Sequence, residues 1–134
     1  MPIPWTPELS VNVKEIDHQH QTFLAILNSL YEVVYKAERK KELPNILRQL
    51  EAYASFHFAT EEKYFDKFGY ELAEEHKKKH SELLADVLKF KERYQKEGDE
   101  VMAELIGFLE DWLAGHLATE DKKYTQCFNS HGLF

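Results

Sequence analysis

Apolar residues return every three or four positions through four long stretches of the chain. Ile16, His20, Phe23, Leu27, Leu30 and Val34 make the first line, and Leu50, Ala54, His57, Glu61, Tyr64 and Phe68 the second. His76, His80, Leu83, Val87, Phe90 and Tyr94 make the third, and Met102, Leu105, Leu109, Trp112 and His116 the fourth. This is the spacing of a buried stripe on an α-helix, and the alternation of a strand is absent. With Pro44, Gly69 and Gly98 as punctuation, the pattern predicts helices over about 17–38, 43–66, 71–95 and 99–127. Asp17 is the expected N-cap of the first, Pro44 suits the first turn of the second, and Asp99 is the expected cap of the fourth. Short connections make neighbouring helices antiparallel, so the fold class is all-α, an up-down-up-down four-helix bundle. Pro2, Pro4 and Pro7 make residues 1–16 an extended arm whose Trp5 is expected to pack across the bundle. Residues 17–128 form the bundle and 129–134 a tail, and the whole of 1–134 reads as one domain.

Several positions on these stripes are not apolar. His20 lies near the start of the first helix, His57 and Glu61 near the end of the second, His76 and His80 near the start of the third, and His116 near the end of the fourth. In an antiparallel bundle these places share one end and fall within roughly two turns of it. His57/Glu61 and His76/His80 are i, i+4 pairs, about 40° apart around a helix, so each pair reaches one point. After His116 the fourth stripe resumes one residue late, at Asp121, Tyr124 and Phe128. A widened turn of π type between His116 and Asp121 would return Asp121 to the core face.

Burying so many polar groups without partners would cost on the order of several kcal/mol each, and metal coordination is the natural compensation. Seven donors exceed the four of a tetrahedral zinc. They suit two octahedral ions sharing two carboxylates, with three histidines on one ion and two on the other, which leaves the second an open position. Carboxylate-rich sites built on paired Glu-x-x-His motifs put more negative charge on their metals. The one such spacing here, Glu15 to His18, lies off the site. A set this rich in histidine favours holding dioxygen over driving it to a high-valent oxidant.

The runs EIDHQH, HFATEE, HKKKH and HLATED occur in order along a chain that resembles the hemerythrin family over its whole length. The resemblance implies a non-haem di-iron centre that binds dioxygen reversibly, for carriage, storage or delivery rather than enzymatic turnover. The implied cofactors are two iron ions (Fe2+/Fe3+) with a bridging oxo or hydroxo group. Ligand types alone would also admit manganese, cobalt or zinc. On this resemblance His76, His80 and His116 hold one iron and His20 and His57 the other. Glu61 and Asp121 bridge them, and dioxygen enters at the iron of His20 and His57. The alternatives are a di-iron enzyme reducing peroxide or nitric oxide, and an oxygen or redox sensor. No surplus ionisable group stands at the level of the site except Tyr64 and Tyr124, which lowers the first. The second is lowered because the bundle carries no signalling domain.

Phe23, Ala54, Leu83 and Trp112 form the next layer, which reads both as core and as an apolar pocket keeping water and protons from bound dioxygen. Tyr64 and Tyr124 read either as hydrogen-bond partners of Glu61 and Asp121 or as packing. His18 is expected on the surface, His131 in solvent, Lys77, Lys78 and Lys79 on a solvated face, and Cys127 as a packed or partly exposed thiol. Gly107 and Gly115 interrupt the fourth helix without a sequence reason.

Composition sets the surroundings. The 134 residues suit one domain, and 17 Lys+Arg against 24 Asp+Glu give a net charge of −7. The absence of a basic helix face argues against nucleic acid as a partner. No secretory h-region or membrane-spanning segment is present, so no membrane association is expected. A single cysteine points to a reducing, cytoplasmic setting, and the charged outer faces to a monomer.

Overall fold

A computed structural model describes residues 3–36 and 41–134, by backbone alone at Tyr35 and Asp99. Among these residues there are no strands. Helix α1 spans Lys14–Tyr35, α2 Leu43–Phe68 and α3 Ala73–Glu97. The fourth rod is composite: α4 (Val101–Trp112), a π-helical segment (Leu113–Glu120), a 3-10 turn (Asp121–Tyr124) and α5 (Thr125–Ser130). The rods form an all-α, antiparallel four-helix bundle. The late end of α3 meets the early parts of α2 and α4 through Lys91–Glu51 at 3.2 Å and Arg93–Glu104 at 2.7 Å.

The stripes pack as their spacing predicts through the middle of the bundle, where Leu27, Leu30, Leu50, Leu105 and Leu109 are fully enclosed. The register drifts at the ends. Val33 rather than Val34 is buried in α1, and Phe65 rather than Tyr64 or Phe68 in α2. Pro44 does stand in the first turn of α2, where its missing N–H goes unused. Helix α1 starts earlier than the apolar pattern predicts, and its expected last residues, 37 and 38, lie outside those described. The cap expected of Asp99 likewise concerns a side chain that is not described.

Asp17 is not the N-cap of α1; Val13 holds that place without a side-chain bond. The Asp17 carboxylate instead accepts from the Ser10 hydroxyl (2.5 Å) and the Val11 N–H (2.8 Å), folding the arm onto the first turn. The arm is therefore a lid rather than a loose strap. Val11, Val13 and Ile16 join Phe65, Tyr124 and Phe128 in a second apolar cluster that closes this end of the bundle. Farther out, the Asn28 side chain brackets the Ile3 backbone (2.8 and 3.0 Å), while Trp5 is only half-buried.

Gly69 ends α2 in the left-handed region (φ 65°, ψ 44°), and the next N–H, of Tyr70, returns to the Phe65 carbonyl at 3.1 Å. This reversal needs a residue without a Cβ penalty. Nothing lies within 4 Å of where a Cβ would stand on Gly69, so its replacement strains the backbone alone. Gly107 sits inside α4 with equally open surroundings, and nothing in the structure explains it. Opposite effects are expected in urea denaturation. Gly69→Ala should lose about 1 kcal/mol or somewhat more, whereas Gly107→Ala should gain up to about 1 kcal/mol.

Candidate metal centre

Helix geometry brings all seven sequence-predicted residues to one buried end of the bundle. His20, His57, Glu61, His76, His80, His116 and Asp121 are all buried, with Glu61, Asp121 and His20 fully closed to solvent. Asp121 reaches the core because the fourth rod widens. Five residues advance about 140° from a multiple of full turns on an α-helix, so His116 and Asp121 would face different sides. The π segment removes that offset, with its i→i+5 character visible in the Asp121 N–H, which returns to the His116 carbonyl.

The seven donors divide into two overlapping groups. Glu61, His76, His80, His116 and Asp121 form one, and His20, His57, Glu61 and Asp121 the other. Asp121 spans them with different oxygens: Oδ2 lies 3.0 Å from His20 Nε2, and Oδ1 lies 2.9 Å from both His76 and His116 Nε2. Glu61 Oε1 lies 3.0 Å from His80, 3.5 Å from His57 and 3.7 Å from His76.

The closer separations suit hydrogen bonds, yet most of the atoms concerned make none. Glu61 Oε1, both Asp121 oxygens and the Nε2 atoms of His76, His80 and His116 are buried without a hydrogen-bond partner among the described residues. Lone pairs that converge on shared points rather than on each other are what a coordination sphere requires. The residues present therefore fit metal ions, by donor type as well as by geometry.

Other side chains hold the donors in place. Gln19 Oε1 accepts from His57 Nδ1 at 2.7 Å, and its amide donates to Thr60 at 3.2 Å. Glu62 accepts from His80 Nδ1 at 2.9 Å. Each bond fixes a tautomer whose bare Nε2 faces the centre. Tyr124 donates a short hydrogen bond to Glu61. Tyr64 turns away, donating to the partly exposed Glu15 at 2.5 Å. Rings flank the imidazoles: Phe58 stacks on His80 and Trp112 on His116, each at 3.8 Å, and Tyr53 on His57 at 5.4 Å.

Phe23, Ala54 and Leu83 are enclosed beside the centre, but Trp112 is only half-buried and lines an outer groove with Lys79, Asp111 and Glu120. Sequence reasoning missed Gln19, Glu62, Tyr53 and Phe58, which lie off the stripes; their one signal was adjacency to a donor or a full turn's separation from it. His18 is exposed, as expected. His131 is exposed but not free, since it stacks on Phe68 at 4.6 Å and its Nδ1 contacts the Cys127 carbonyl at 2.8 Å. Cys127 is half-buried, and burial pushes its thiol up. Lys77 pairs with Asp66 (2.7 Å) and Lys79 with Glu120 (3.0 Å) across the outer face.

Electrostatics in the ion-free chain follow from this crowding. Burial pushes His57 down to about 4, against the pull of Glu61. Burial also opposes charge on His76, but its contacts with Asp121 and Glu61 prevail and raise it to about 9; Asp121 raises His20 in the same way. Burial opposes ionisation of the two carboxylates, and their mutual repulsion opposes that of Glu61, yet the surrounding histidines hold both below the usual carboxylate range.

A buried cluster of five histidines and two carboxylates inside four antiparallel helices defines a cation-binding helix bundle. Comparison with known proteins specifies which one. Residues 11–127 match the family model of the hemerythrin HHE cation binding domain. The chain is 31% identical over 123 residues to a bacteriohemerythrin of Pseudomonas aeruginosa, spanning 90% of this chain and 77% of that protein. It is 30% identical over 127 residues to a bacteriohemerythrin of Methylococcus capsulatus, spanning 94% and 96%. A solved wild-type hemerythrin superposes with a TM-score of 0.85 at 29% identity, over 95% of this chain and 98% of that one. The chain belongs to the hemerythrin family. Among the described residues no helix is long and apolar enough to cross a membrane.

Two outcomes follow for metal uptake. With His76 raised to about 9, its ring carries a proton at neutral pH that must leave before Nε2 can ligate. Metal affinity should therefore rise about tenfold per pH unit for each proton displaced, up to about pH 9. Titration calorimetry in buffers of different ionisation enthalpy should find protons released at pH 7. Gln19→Leu strips His57 Nδ1 of its acceptor and should weaken binding of one ion by about 10–100-fold in chelator competition.

Proposed function

We propose that this chain, acting as one domain over residues 1–134, binds a pair of iron ions and takes up dioxygen reversibly, for carriage, storage or delivery. The observation that carries this reading is the division of the donors into unequal groups of five and four that share Glu61 and Asp121. In it His76, His80 and His116 hold one ion and His20 and His57 the other. Glu61 and Asp121, shared by both donor groups, would serve both ions, and an oxo or hydroxo group would come with them. A ferrous pair supplies the two electrons that reversible dioxygen binding draws on.

The protein's part is to orient and to exclude. Gln19 and Glu62 fix the rings of His57 and His80, and Tyr124 steadies Glu61. Phe23, Ala54 and Leu83, buried one turn from His20, His57 and His80 respectively, exclude water next to the donors, which would slow loss of charged oxygen species. Trp112 contributes from the rim through its stack on His116. The net charge of −7 and the lone cysteine suit a cytoplasmic monomer with dioxygen, rather than a membrane or nucleic acid, as its partner.

The test is anaerobic loading with ferrous iron, followed by absorption spectra on adding and then removing dioxygen. Two irons per chain and a coloured band that appears and disappears are expected. One-way conversion to a diferric spectrum, or turnover of peroxide or nitric oxide well above slow autoxidation, would put a di-iron enzyme or redox sensor in its place.

A further inference from the structure

Tyr53 stands one turn before His57 on α2, and its ring lies nearly parallel to that imidazole, 5.4 Å away and 9° from coplanar. Phe23 supports it from α1 at 5.9 Å. The outer edge of the residue lines a shallow groove between α1 and α2 beside Ile26, Gln49 and Ala52. Its hydroxyl, by contrast, is sealed from solvent and has no hydrogen-bond partner among the described residues. Buried phenol hydroxyls ordinarily find a partner. The hydroxyl of Tyr124 is committed to Glu61 and that of Tyr64 to Glu15. Tyr70 also lacks a partner, but it packs against Phe65 and Tyr124 at the outer end of the centre.

The donor groups say where a partner for Tyr53 would come from. Five donors gather on the His76 side and four on the His20/His57 side. For ions of octahedral habit the four-donor side has more room for an outside ligand, and Tyr53 stacks on one of its two histidines. Building on the iron reading above, we propose that Tyr53 is a specificity-determining residue. Its hydroxyl donates a hydrogen bond to a small ligand with an acceptor atom, dioxygen or a small anion, taken up on the His20/His57 side. The stack on His57 and the contact with Phe23 fix the ring before any ligand arrives, so donation needs little reorganisation. The layer that excludes water thus contains one polar group, and that group favours ligands which gather negative charge.

The decisive experiment is azide titration of the diferric chain, for the parent and for Tyr53→Phe, which keeps the ring and removes only its oxygen. Azide affinity should fall about tenfold or more, while iron content is unchanged and thermal stability is equal or higher. In the parent, the azide infrared stretch should shift between H2O and D2O. Dioxygen should also leave the reduced variant faster by a similar factor if it is the natural acceptor; an effect confined to azide assigns the hydroxyl to anions. Azide affinity and oxygen dissociation both within twofold of the parent, at full iron content, would overturn the assignment and leave the iron reading standing. Absence of the isotope shift in the parent would overturn it as well, even if the variant failed to fold. A parent that takes up no iron would remove the reading beneath it and the assignment together.

Discussion

The rest of the structure answers to the burial of two carboxylates and five imidazoles at one end of an apolar bundle. Such groups cost on the order of several kcal/mol each when desolvated without partners, comparable in sum to the whole stability of a domain this size. Each unusual feature of the fold lies where it reduces that cost. The π segment returns Asp121 to the core, and Tyr124 satisfies one oxygen of Glu61. Gln19 and Glu62 take the outward N–H groups of His57 and His80. The arm, fastened by Asp17, adds Val11 and Val13 to an apolar plug over the same end.

The rest of the bundle needs none of these devices. There Leu27, Leu30, Leu50, Leu105 and Leu109 meet by ordinary stripe packing, and the exposed faces carry pairs such as Arg93–Glu104 that contribute little in water. Stability and function are thus spatially divided. A leucine core holds the helices in register, and that register lets donors from four rods meet within a few ångströms. The interrupted fourth rod shows the cost of the arrangement: helical geometry is least regular where it serves the site.

Periodicity made much of this legible from the residues alone. A histidine on a buried stripe must be compensated, so the stripes exposed the donor set, and a break of one residue after His116 revealed the π segment. Legibility failed where contacts run between elements rather than along them. Asp17 looked like a helix cap because an acidic residue before an apolar run commonly is one; its true partners, Ser10 and Val11, lie in an arm without periodicity. Gln19 and Glu62 sit off the stripes, and only the crossing of the helices determines that they touch His57 and His80. Tyr64 and Tyr124 occupy equivalent spacings, yet α2 buries Phe65 in place of Tyr64, whose hydroxyl goes out to Glu15 and leaves Tyr124 to serve Glu61.

The ion-free cluster offsets part of its own charge. Glu61 and Asp121 are held ionised, while the contacts with Asp121 hold His20 and His76 towards protonation and burial keeps His57 neutral. Two negative groups therefore meet two rings biased to positive charge, and protons perform the neutralisation that cations perform later. The His76 contribution is fully present below the ordinary histidine pKa and is lost as pH rises through about 9. Metal uptake has the opposite sign, since it needs those same rings bare. Exchange of protons for cations thus makes one buried cluster compatible with both folding and coordination.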